Sequence, residues 1–263
     1  MRIIIRGIFF LILILFFGGS VKAELTGKEI AEKANQVAYY QGEDGKAKVN
    51  MQIIDSQGRK RFRQFIILRK DGDNGEQKFY VYFLRPADVN RMVFMVWKHL
   101  NKDDDRWLYL PALDLVKRIA ASDKRTSFVG SHFFYEDVSG RNINADKHEL
   151  VKTTKNFYVL KNIPKDPETV EFSYYITWIY KKNFITVKVE YFDKNNEKYR
   201  EYTALKVQNI QGYPTVVKSQ MLDKKIGGKT LLYYSHVKYN IGLPEVIFTE
   251  RYLRKAPRKF LRQ

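Results

Sequence analysis

From Ile185 to Tyr191 the chain alternates strictly: Ile185, Val187, Val189 and Tyr191 are apolar, while Thr186, Lys188 and Glu190 are polar. Successive side chains of a strand point to opposite faces, so this is a strand with one face buried and one wet. Asp193–Glu197 turns the chain, and Tyr199–Val207 returns. Thr215–Asp223 and Lys229–Tyr239 make another hairpin around Lys224–Gly228. Upstream, Ala47–Ile54, Arg61–Lys70, Gln77–Leu84, Val93–Leu100 and Arg106–Leu110 are β-rich runs divided by turn clusters such as Asp71–Gly75. Glu149–Leu160 and Glu171–Ile179 are further candidate strands. The 18 Tyr and 18 Phe suit this reading, because aromatic rings fit a pleated, half-buried surface.

Strands joined by hairpins imply one antiparallel sheet, and a sheet of about ten strands has to curl. One amphipathic helix precedes it: Ile30, Ala31, Ala34, Val37 and Ala38 repeat at helical spacing within Lys28–Tyr40, and Gln41–Gly45 ends it. Pro244–Arg254 reads as a short terminal helix or an extended segment. With no Pro- or Ser-rich linker, residues 24–263 form one expected domain, mainly β with α+β character. A curled sheet with one early helix makes an open barrel with the helix as lid or plug. Its concave face, if apolar and unfilled, is a ligand cavity.

Residues 1–23 read as a cleaved secretory signal. Arg2 and Arg6 precede the apolar run Ile8–Phe17, Gly18–Ser20 breaks it, and Val21–Lys22–Ala23 has the form of a cleavage site. The run is shorter than the roughly 20 residues a spanning helix needs. In a Gram-negative cell the expected location is the periplasm. The chain has no Cys, which excludes a disulfide scaffold, thiol catalysis and Cys-ligated zinc. Net charge is +18, and removing Arg2, Arg6 and Lys22 leaves +15. Outside the cytoplasm the natural anionic partners are phospholipid headgroups and lipopolysaccharide rather than nucleic acid. Cations on strands also protect sheet edges, so the charge alone does not choose between the two.

Asp103–Asp137 mixes aromatic and aliphatic residues with charges in a way that neither a helix nor a strand needs. Trp107–Leu110 runs into Pro111 and Leu113; Lys117 and Arg118 follow, then Phe128, Phe133, Phe134 and Tyr135 around a Gly130–Ser131 break. A dense apolar run closed by Pro is a poor ordinary strand. It suits a turn presenting apolar side chains to an acyl chain, as a mobile rim or lid. The carboxylates Asp103–Asp105 lack the alternating spacing and glycine of a calcium loop, so no metal is expected.

The blocks WLYLPALDLVKRI and SFVGSHFFYEDV, with FTERYL at Phe248–Leu253, resemble the signature of the LolA-like outer-membrane lipoprotein-sorting protein family. The resemblance covers most of residues 24–263 and is most specific between Arg106 and Asp137. It implies an unclosed β-barrel of about eleven antiparallel strands, helices over its mouth and an apolar cavity for acyl chains. It also implies, for many members, an inner-membrane RND-type transporter as partner, although no cavity arginine of the LolA carrier itself aligns here.

Chemistry points away from an enzyme. His99, His132, His148 and His236 are scattered, Ser131–His132 lacks a nucleophile elbow, and Gly227–Gly228 lacks the spacing of a phosphate loop. No cofactor is expected. A carrier needs only apolar walls, and the candidate contacts for a lipid or lipoprotein acyl chain are Met92, Phe94, Met95, Trp97, Trp107, Leu110, Leu113, Phe128, Phe133 and Phe134. Lys117, Arg118, Lys124 and Arg125 are candidates for headgroup phosphates, with Arg118 preferred because a guanidinium binds phosphate bidentately. The other reading is a non-catalytic accessory or structural protein of an envelope export complex, its cavity filled by its own side chains.

Overall fold

The computed structural model describes residues 24–262, so the signal read from residues 1–23 lies outside the described residues. Thr26 opens helix α1 (Gly27–Tyr39) with a capping box: its hydroxyl accepts from the Glu29 amide at 3.2 Å, and the Glu29 carboxylate accepts from the Thr26 amide at 2.8 Å. The helix begins pressed on the sheet. A Cβ on Gly27 would stand 2.4 Å from the His148 carbonyl oxygen, so only glycine allows this approach.

Six strands follow as a meander: β1 (Asp44–Asp55), β2 (Lys60–Asp71), β3 (Gln77–Arg85), β4 (Val93–Lys98), β5 (Asp105–Leu110) and β6 (Leu115–Arg118). The chain then crosses through residues 119–145, which include helix α2 (Tyr135–Ser139). A second meander runs through β7 (Asp146–Thr153), β8 (Phe157–Pro164), β9 (Tyr174–Tyr180), β10 (Thr186–Phe192), β11 (Lys198–Ile210), β12 (Tyr213–Asp223) and β13 (Gly228–Tyr239). Short helices α3 (Glu250–Arg254) and α4 (Arg258–Leu261) end the described chain.

The thirteen strands form one antiparallel sheet in the order β6-β5-β4-β3-β2-β1-β13-β12-β11-β10-β9-β8-β7. One pairing, β1 with β13, joins the two meanders. The sheet is not closed, because β6 and β7 are left as its edges. The sequence pattern gives about eleven strands, and two features account for the difference. Glu149–Leu160 is two strands, since Thr154 turns the chain: its amide donates to the Phe157 carbonyl at 2.8 Å and its hydroxyl accepts from the Phe157 amide at 2.9 Å. Leu115–Arg118 is a four-residue edge strand, too short for alternation to show. Trp107–Leu110 is also an ordinary strand; Pro111 stands just after it, in a turn where its missing N–H costs nothing.

Strands β2–β5 are buried on both faces, which explains their nearly unbroken apolar runs. On the inner face Val49, Met51, Phe65, Val81, Phe83 and Phe94 pack with Phe128 and Phe133 of the crossing segment. On the outer face Ile66, Leu68, Tyr80, Val93, Met95 and Trp107 pack under Leu243, Ile247, Phe248 and Leu253. The C-terminal segment is pinned there by the Trp97 indole N–H donating to the Phe248 carbonyl and the Tyr80 hydroxyl to the Tyr252 carbonyl, both at 2.7 Å. Pro244–Arg254 therefore contains a helical turn and then α3. No helix among the described residues is long and apolar enough to cross a membrane.

Gly140 ends α2 at φ 78°, and a Cβ there would lie 2.4 Å from the Tyr39 ring. Gly140→Ala is expected to destabilise by about 1–3 kcal/mol, combining the left-handed backbone with a steric clash. Chemical denaturation with an unchanged m-value would verify it; an unaltered midpoint would show that Tyr39 yields freely.

Candidate functional site

The inner face divides into two halves. Over β2–β5 it is filled by the crossing segment, whose Phe128 ring packs on Phe65, Phe83, Phe94 and Tyr135 at centroid distances of 5.5–6.2 Å. Towards β8–β13 it is hollow. There a cavity of about 460 Å³ lies between α1 and the sheet. Its wall takes Ala31, Ala34 and Ala38 from α1, Val49, Met51 and Phe65 from β1 and β2, and Leu160, Ile179 and Val189 from β8–β10. Met221, Leu232 and Tyr234 close it from β12 and β13. The strand pleat explains the selection: Thr177, Val189 and Tyr202 are register partners on adjacent strands, so all three point inward.

Of the sequence candidates, Phe128 and Phe133 stand on this wall. Met92 and Phe94 belong to the inner-face core beside them, with Leu110 packed against it, but none of the three reaches the cavity wall. The pleat of β4 sends Met95 and Trp97 to the outer face, where Trp107 faces Met95 across the β4–β5 pair. Leu113 is 71 % exposed on the turn Pro111–Leu113. Arg118 pairs with Asp105 and lies 5.3 Å over the Trp107 ring, so its guanidinium serves the β5–β6 edge. Phe134 is sandwiched by Arg125 at 5.0 Å and Arg200 at 3.9 Å. The wall residues of β9–β13 were missed, although the Val189–Tyr191 alternation marks which side of β10 faces inward; Val187, at an irregularity between Thr186 and Lys188, does not reach the wall.

The crossing segment is held by buried ion pairs as well as by its packed aromatic rings, an arrangement unlike the expected mobile rim. Arg125 donates to both Glu171 oxygens at 2.5 and 2.6 Å and to Glu136 at 2.5 Å. Arg141 grips Asp146 at 2.9 Å, and Tyr175 donates its hydroxyl to the same carboxylate at 2.7 Å. Arg200, fully buried, pairs with Asp137 and donates to the His132 carbonyl at 3.0 Å. Lys98 donates to the Ser139 and Gly140 carbonyls at 2.6 and 2.9 Å, and burial pushes its ammonium down to about 8. Burial alone would raise the Glu171 carboxyl, but the Arg125 guanidinium outweighs it and holds Glu171 at about 2. Arg125, Glu136, Asp137 and Arg141 also edge the cavity, and Lys46 and Arg69 line it from β1 and β2, so an apolar space has charged edges.

The histidines are engaged structurally. His132 Nδ1 meets the Thr230 hydroxyl at 2.8 Å, and the Ser131 hydroxyl turns to its own loop, donating to the Phe133 carbonyl at 3.3 Å. His148 Nδ1 meets Asn162 at 2.7 Å and its Nε2 the Ile143 carbonyl at 2.9 Å. Among the described residues no group of three His, Asp or Glu is placed to hold a metal ion.

An uncharacterized-protein family model matches residues 75–255, well over half of the chain. The chain belongs to that family, DUF1329. A DUF1329 family protein from Desulfovibrio piger is 28 % identical, with a TM-score of 0.79 over 86 % of this chain and 97 % of its own. A protein from Vibrio parahaemolyticus assigned as an outer membrane lipoprotein-sorting protein domain is 27 % identical, with a TM-score of 0.79 over 87 % and 98 %. A LolA superfamily protein from Nitrosomonas europaea, at 20 % identity and a TM-score of 0.68 over 87 % and 100 %, shares the fold. No curated protein matches the sequence. This family member thus has the unclosed, mainly β architecture of the LolA superfamily.

Arg125→Gln leaves Glu136 buried without its closest cation and is expected to cost about 3–5 kcal/mol in denaturant unfolding. The Glu171 carboxyl lies lower in the folded chain than in the unfolded one, so its contribution is complete above the ordinary carboxylate value and is lost as pH falls toward 2. Its side chain is 36 % exposed and screened, so that loss is on the order of 1 kcal/mol. Denaturation midpoints at pH 6 and pH 3 should show a smaller pH dependence in Arg125→Gln than in the unaltered protein; equal dependence would refute the coupling.

Proposed function

We propose that the protein is a non-catalytic periplasmic carrier, holding an acyl chain of a lipid or lipoprotein in the inner-face cavity and passing it between membranes or to and from an RND-type exporter. The observation that carries this reading is the hollow half of the inner face. It offers about 460 Å³ walled mainly by Ala, Val, Ile, Leu, Met and aromatic side chains, within the range of small-molecule sites. Each methylene group moved from water onto such a wall gains about 0.8 kcal/mol, so one chain supplies ample binding energy without any reactive group. The likeness to the Vibrio protein assigned to lipoprotein sorting supports the same cargo class. The filled half of the inner face favours a second reading, an accessory protein of an envelope export complex, and one experiment separates the two.

Organic extraction of the purified protein followed by lipid mass spectrometry should recover lipid, and an apolar fluorescent probe should bind and be displaced by fatty acid. Val189→Trp adds an indole to the cavity wall rather than to the packed half. It should weaken probe binding at least about tenfold, since ligand and ring compete for one space, with little change in the denaturation midpoint. Extracts free of lipid together with no probe binding would leave the accessory reading standing alone.

A further inference from the structure

The outer face of the sheet carries a second hollow, of about 390 Å³, where α3 and α4 meet β3–β5. Four cations line it: Arg91 from the β3–β4 turn and Arg254, Lys255 and Arg258 from the C-terminal segment. Tyr82 and Tyr109 add aromatic walls with hydroxyl groups, and no carboxylate is among the lining residues. Asp114, which touches two of the lining side chains, is already occupied: it accepts from Arg254 Nε at 3.0 Å and from the Tyr109 hydroxyl at 3.1 Å. Among the described residues, no carboxylate lies at salt-bridge distance from Arg91, Lys255 or Arg258. The residues come from positions about 165 apart in the chain, so the grouping is made by the fold and not by a run of basic sequence.

Like charges gathered round one hollow repel each other, and an anion placed among them relieves that repulsion. Three guanidinium groups supply the planar forks that match phosphate oxygens. Pro111, also on the wall, leads directly into Leu113, which is 71 % exposed, and Leu115 on the edge strand is 46 % exposed. Apolar tips beside a cationic hollow are the arrangement that seats a protein on phospholipid headgroups.

We propose that this hollow binds a phosphate group, presented by an anionic lipid headgroup at a membrane surface. The site lies on the opposite face of the sheet from the acyl cavity and does not depend on what that cavity holds. It gives the general positive charge of the chain a specific address.

Co-sedimentation of the purified protein with vesicles tests this, using phosphatidylcholine alone and phosphatidylcholine mixed with phosphatidylglycerol. The double variant Arg91→Gln/Arg258→Gln should bind the mixed vesicles roughly tenfold more weakly. The control Lys152→Gln/Lys155→Gln removes the same charge from exposed residues at the far edge, and should bind nearly as well as the unaltered protein. Titration with inorganic phosphate forms a second arm. Phosphate binding lost only in Arg91→Gln/Arg258→Gln, with vesicle binding equal in both variants, would keep the phosphate site and overturn its lipid source. Equal losses in the two double variants, or no binding in either arm, would overturn the site itself. Fluorescent-probe binding in the acyl cavity should be unchanged by Arg91→Gln/Arg258→Gln, so failure here and failure of the carrier reading are separable.

Discussion

Two edges of one sheet, β6 and β7, stay unpaired, and the chain has to travel from one to the other. Residues 119–145 make that passage across the inner face, and where they lie decides what is core and what is cavity. Their position is set by charge. Arg125, Arg141, Arg200 and Lys98 are buried or nearly so, and each is tied to a carboxylate or carbonyl that joins the crossing segment to the sheet or to its own turns. Such buried pairs add little net stability, because desolvation offsets the attraction. Their effect is geometric: a shifted segment would leave several buried charges without partners, so alternative placements are strongly disfavoured. Arg200 shows how tight the arrangement is, fully buried and 3.9 Å from the centroid of the Phe134 ring.

The same clamp says what stays fixed in a carrier of this build. Moving the crossing segment would expose Phe128 and Phe133 and strand four ionic side chains at once. Helix α1 meets the cavity through Ala31, Ala34, Val37 and Ala38, and its fully buried Ile30 packs with Leu160 and Ile179 of the sheet. Its ends are attached as well: Gly27 against β7, and Tyr39 beside Gly140. On the carrier reading, then, the crossing segment is a fixed floor of the cavity, the reverse of what the aromatic density of 103–137 suggests.

Much of the fold was legible because period-two alternation and turn clusters are local signals. The capped helix, the hairpins and the single curled sheet follow from them. Where the sequence misled, a non-local cause was at work. Arg106–Leu110 reads as a β-rich run yet, with both faces apolar and Pro111 behind it, as a poor ordinary strand; nothing local shows that the C-terminal segment, some 140 residues later, covers the outer face. Met95, Trp97 and Trp107 were candidate cavity residues for the same reason: composition marks them as apolar, but only strand pairing assigns a face. Arg125 and Arg118 look alike in sequence, yet one is buried between two glutamates and the other is exposed on the edge.

Charge shows the limit of composition most clearly. A net charge of +18 is compatible with edge protection, solubility or an anionic partner, and the count cannot distinguish them. The structure separates the cations by what answers them. On the outer surface of β10 and β11, Lys188 and Lys198 face Glu190 and Glu201, so that patch is internally neutralised. Around the C-terminal hollow three cations have no such answer among the described residues, and the fourth shares its one carboxylate with a tyrosine. The field a ligand meets depends on this local imbalance, because screening damps distant charges within about 10 Å. A basic protein of this fold therefore gains a directed positive surface where folding brings unanswered cations together, and the rim between β3–β5 and the C-terminal helices is one such place among the described residues.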